Sequence, residues 1–68
     1  MNFPSGPYLE VLNFIRKYPE GCTADQIAEA FPHLSADDRS GISHRLRYEG
    51  YIKRCYVGGR KTVWVAIK

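Results

Sequence analysis

A chain of 68 residues holds one small domain, because a chain this short buries only about 60% of the surface its unfolded form exposes. Hydrophobic residues at 44% and charged residues at 25% make a globular composition, and a single small core argues against a multi-step enzyme with its own deep cleft. The charge is split along the chain: residues 1–38 carry two basic and six acidic side chains, a net of −4, whereas residues 39–68 carry eight basic side chains against Glu49 alone, a net of +7. Concentrated positive charge of this kind is the footprint of a polyanion-binding face.

Ser5 followed by Pro7 reads as a helix start, since serine can accept a bond from a free first-turn amide and proline has no amide hydrogen to leave unpaired. The spacing predicts a first helix from about Pro7 to Tyr18, with Tyr8, Val11, Leu12 and Ile15 recurring at i, i+3, i+4 and i+7 as its core stripe. Pro19 blocks continuation and Gly21 supplies a turn. Thr23-Ala24-Asp25-Gln26 is the pattern of a capping box, so a short second helix is expected from Ala24 to about Phe31, with Ile27, Ala28, Ala30 and Phe31 as its apolar positions.

After Pro32-His33-Leu34, Ser35 with Asp38 three residues on caps a third helix, and Asp37 and Asp38 suit the positive end of its dipole. This helix is expected to reach about Glu49, with Gly50 as its left-handed cap. Projected at about 100° per residue, Ile42 and Leu46 face inward, Ser40, His44 and Arg47 point the opposite way, and Ser43 and Tyr48 lie on the margins. Gly41 lies inside the helix at a cost of roughly 1 kcal/mol relative to alanine, which suggests close approach of another element, the second helix before a nucleic-acid backbone.

From Tyr51 the period changes to two. Ile52, Tyr56, Val63, Val65 and Ile67 fall on the expected core face of a hairpin, with Arg54 at its rim. Tyr51, Lys53, Cys55, Thr62, Trp64 and Ala66 fall on the other face. Gly58-Gly59 with Arg60-Lys61 makes the tip, a diglycine allowing the positive φ of a tight hairpin. Trp64 then either caps the sheet beside Cys55 or stands exposed as an anchor for a protein partner or a second copy.

No apolar run approaches the roughly 20 residues needed to cross a bilayer, and the Met1 region has neither the basic nor the apolar part of a signal peptide, so the expected setting is cytoplasmic with no membrane partner. Cys22 and Cys55 are too few for a disulfide scaffold and lack CxxC spacing, and they read as buried thiols. No GxSxG, HExxH or phosphate-cradling glycine loop is present, and His33 and His44 have no partner at ligand spacing, so no catalytic residue, cofactor or metal is expected.

The order helix, helix, short connection, helix, glycine, β-hairpin resembles a winged helix-turn-helix, an α+β fold with three helices and a C-terminal hairpin wing. Cys22 to Phe31 is similar to the second helix of many bacterial regulators, Ile42 to Ile52 resembles the end of a recognition helix leading into a wing, and Gly58 to Trp64 resembles a wing tip with its returning strand. The resemblance spans about Pro7 to Ile67, so residues 1–68 are expected to form one such domain, with a very short strand near Cys22 paired to the strand of Trp64. That pairing would leave Cys22 and Cys55 two strand spacings apart, about 9–10 Å, beyond the reach of a disulfide.

The resemblance implies double-stranded DNA binding by a small transcriptional or replication regulator of bacterial, phage or plasmid type. Its third helix would enter the major groove with Ser40, Ser43, His44 and Arg47, and Arg60 and Lys61 on the wing would meet backbone or minor groove. Arginine pairs bidentately with guanine, and a basic loop neutralises phosphates. Asp37 and Asp38 depart from this pattern by placing negative charge at the helix expected to approach DNA, and Arg39 stands where such families often carry an apolar residue. The competing class is a protein-interaction module on the same scaffold, meeting a protein partner or forming a homodimer through the sheet face near Trp64. A third version, shape recognition of left-handed duplex, normally carries an asparagine in the third helix and prolines in the wing, where this chain has Ser40 and Gly58-Gly59.

Overall fold

Helix-forming and strand-forming segments follow one another without interruption in the computed structural model, which describes residues 3–58 and 61–68. Three helices, α1 (Pro7–Arg16), α2 (Ala24–Ala30) and α3 (Ala36–Tyr48), precede a two-stranded antiparallel hairpin of β1 (Ile52–Val57) and β2 (Lys61–Ala66), a small α+β arrangement. A single antiparallel bridge joins Cys22 to Trp64, with N–H to O distances of 2.8 Å in both directions, and this is the short pairing expected near Cys22. Among the described residues no helix is long and apolar enough to cross a membrane.

The helix boundaries follow from their caps. Gly6, with φ of 56°, and not Ser5, is the N-cap of α1, and no side chain bonds the first turn; Pro7 at the first helical position leaves one fewer amide to satisfy. The helix stops at Arg16, two residues before the expected end, and Lys17 to Tyr18 close it with turn-type bonds ahead of Pro19. In α2 both halves of the capping box form: the Gln26 amide donates to the Thr23 hydroxyl at 3.1 Å, and the Thr23 amide donates to Gln26 Oε1 at 2.9 Å. In α3 the Asp38 amide donates to Ser35 Oγ at 3.1 Å. At its far end Gly50, with φ of 84°, lets the Gly50 amide reach Arg47 O and the Tyr51 amide reach Leu46 O, which turns the chain sharply into β1.

Val11, Leu12 and Ile15 of α1, Cys22, Ile27 of α2, Ile42 and Leu46 of α3, and Ile52 of β1 form the buried core. These include the inward residues expected of α3 and three of the four expected of α1, Tyr8 being only half-buried against the core, while in α2 only Ile27 is buried and Ala30 is exposed. Burial pushes the Cys22 thiol up to about 11, so it stays protonated at neutral pH. Cys55 is only half-buried, unlike the expected buried thiol, and both cysteines are free. A Cβ added at Gly41 would meet nothing within 4 Å, so the helix packing expected there does not occur.

The hairpin register overturns the expected faces. Val57 pairs with Lys61 across the three residues 58–60, and the ladder continues through Tyr56 with Thr62, Cys55 with Val63, Arg54 with Trp64, Lys53 with Val65 and Ile52 with Ala66. The expected faces require an even number of connecting residues, and the odd count of three moves every β2 side chain to the opposite face. Ile52, Trp64 and Ala66 therefore share the core face with Arg54, whereas Val63 and Val65 share the other with Cys55. Val63 is nonetheless buried, covered by the turn at Gly21, while Tyr56 and Ile67, expected in the core, are exposed. Trp64 is half-buried against the core, neither beside Cys55 nor on an outward sheet face.

Candidate functional site

The apolar stripe of α3 fixes where its polar side chains go. With Ile42 and Leu46 in the core, the adjoining stripe of Ala36, Arg39, Ser40, Ser43, His44 and Arg47 lines a concave groove of about 330 Å³. Ala24, Asp25, Ile27 and Ala28 of α2 form one wall, and Arg54 and Trp64 of the hairpin form the other. The four α3 residues expected to form a reading face are thus brought together. Ser43, expected on the margin, is 7% exposed and contributes from the groove floor, whereas Tyr48, the other marginal residue, is 81% exposed and does not line the groove.

Of the two expected wing residues, the structure describes only Lys61. Lys61 lies within β2 on the face shared with Val57 and Val63, opposite the Arg54 and Trp64 face, and Arg60 lies outside the described residues. Sequence periodicity missed Arg39, Arg54 and Trp64 as groove residues. A correct count of three connecting residues would have put Trp64 opposite Arg54 and on the side of Ile52.

Positive charge dominates the groove, where Arg39, Arg47 and Arg54 face one carboxylate, that of Asp25. Arg39 donates from Nη1 to the Leu34 carbonyl at 2.8 Å, which ties the connection between α2 and α3 to the groove wall and accounts for an arginine at that position. Arg54 lies over the Trp64 ring, 5.3 Å from its centroid. Among the described residues the one ion pair is Arg45 Nε to Glu49 Oε2 at 3.0 Å, away from the groove, so no groove arginine is neutralised by a carboxylate at ion-pair distance. Arg45 also lies 4.6 Å from the centroid of Phe3, which gives it a structural role. Asp37 and Asp38 are exposed in the first turn of α3 and do not line the groove.

Chemically, this arrangement can bind an anion-rich, hydrogen-bonding surface. Its donors are guanidinium groups, its adaptable partners are two serines and a histidine, and its one large apolar surface is an indole. Among the described residues no group of three histidine, cysteine or acidic side chains is positioned to hold a metal ion. Comparison with protein-family models and with curated proteins finds no match for this chain.

Proposed function

We propose that this chain is a winged helix-turn-helix domain that binds double-stranded DNA, with α3 entering the major groove and the hairpin acting as the wing, and that it serves as a transcriptional or replication regulator. The observation that carries this reading is the convergence of Ser40, Ser43, His44 and Arg47 with two further arginines in one groove that holds a single carboxylate. Arg47 is the candidate base reader, because its fork matches the acceptor pair on guanine, and His44 and Ser40 are candidates for neighbouring base edges. Arg60 and Lys61 are candidates for phosphate contacts, which orient a protein on the duplex without reading its sequence. The alternative protein-docking reading draws on the acidic first turn of α3 and on an exposed Trp64; Asp37 and Asp38 are exposed, whereas Trp64 is half-buried and lines the groove, which weakens the second of these supports.

Titration of mixed-sequence duplex DNA at two salt concentrations tests the proposal. Binding should weaken steeply with salt, with a log-log slope of about −0.9 for each phosphate neutralised. Absence of binding at low salt, or affinity indifferent to salt, would refute it and leave the protein-interaction class standing.

A further inference from the structure

The hairpin wall of the groove carries two side chains, Arg54 and Trp64, to which the reading above assigns no contact of their own. Arg54 and Trp64 are cross-strand partners on the hairpin face that begins in the core at Ile52 and Ala66, and they line the same groove as Arg47 and His44. Arg54 is exposed, its guanidinium lies over the indole, and among the described residues it has no carboxylate at ion-pair distance. A guanidinium held over an aromatic ring leaves N–H donors on its edge free for phosphate oxygens, and the ring restricts the rotamers that binding would otherwise have to freeze.

Resting on the DNA-binding reading above, we propose that Arg54 is a phosphodiester anchor on the strands of the hairpin, set in place by Trp64, and that it grips the nucleic-acid strand bordering the groove that α3 enters. A helix lying in a major groove has a sugar-phosphate strand on each side, so a cation on the hairpin wall beside that helix meets phosphate before it meets a base edge. Trp64 is the positioning residue in this pair, and Arg54 makes the contact. The sheet itself then belongs to the binding surface, in addition to the hairpin tip.

The test compares wild type with Arg54→Gln, Arg54→Lys and the charge-matched control Lys17→Gln, whose position on the exposed turn after α1 is outside the groove. Duplex titrations over a range of salt should show Arg54→Gln weakened about eightfold at 0.1 M salt, with a log-log slope shallower by about 0.9, one phosphate's worth. Arg54→Lys should retain the wild-type slope with a smaller loss of affinity, since its charge survives and its planar fork of donors does not. Lys17→Gln should stay within about twofold of wild type. Trp64 is the sole tryptophan, so its emission in wild type should change along the same binding curve and revert on adding salt. If wild type binds duplex while both Arg54 variants match Lys17→Gln in affinity and slope, the anchor is refuted and the α3 reading survives. If wild type binds no duplex at low salt, the underlying reading fails and the anchor with it.

Discussion

Two glycines illustrate how differently one residue type is constrained in this chain. Gly21 has φ of 125°, and a Cβ there would fall 2.7 Å from Val63 Cβ, so both its backbone and its space exclude a side chain. Gly21→Ala should destabilise by about 3 kcal/mol, the combined effect of strained backbone and overpacking against β2. Gly41 is helical with open space around it, so Gly41→Ala should stabilise by roughly 1 kcal/mol through helix propensity alone. Thermal unfolding checks the pair: at about 4–8 °C per kcal/mol for a domain of this size, the two variants should move the midpoint in opposite directions. A fall in midpoint for Gly41→Ala would mean that α3 has a packing partner at that point which the structure does not contain.

Among the elements, α2 depends most on its ends. Seven residues are too few for a helix to persist by propagation alone, so the reciprocal bonds between Thr23 and Gln26 and the burial of Ile27 hold it. Thr23→Ala should cost about 1 kcal/mol, measurable as a lowered denaturation midpoint with an unchanged denaturant slope. A neutral result would show that tertiary packing alone maintains the helix. This cap was legible in the sequence because its partners lie three residues apart, and the same holds for Ser35 with Asp38 and for the turn at Gly50. The inward stripe of α3 was legible for a related reason, since one period fixes all its faces. The hairpin was not, because its faces depend on whether an even or an odd number of residues connects the strands, and the diglycine at 58–59 fits either count locally. The expected faces therefore separate Arg54 from Trp64, and the hairpin side of the candidate site is not legible from periodicity.

For the molecule as a whole, the acidic first half and basic second half supply a field, while α3 supplies side chains that can discriminate, and the two contributions are separable. Asp37 is exposed in the first turn of α3 and lies outside the groove, so under the proposed docking it would act on the duplex through its charge alone. Asp37→Lys changes the local charge by two units, and under the proposed docking it should raise affinity for preferred and random duplexes alike, at a stability cost of about 0.3–1 kcal/mol from the lost dipole interaction. Arg47 is also exposed, but it lines the groove beside His44 on a helix anchored by Ile42 and Leu46. Arg47→Ala should therefore cost roughly 1–3 kcal/mol on the preferred sequence and much less on random DNA, because the base contact is lost while most phosphate contacts remain. Competition titrations that pit a selected duplex against random duplex separate the two effects: Asp37→Lys should leave the ratio of affinities unchanged, and Arg47→Ala should shrink it. If Arg47→Ala were silent on every duplex while Asp37→Lys still raised affinity, the field would be real and α3 would be a scaffold, with sequence reading carried elsewhere on the molecule.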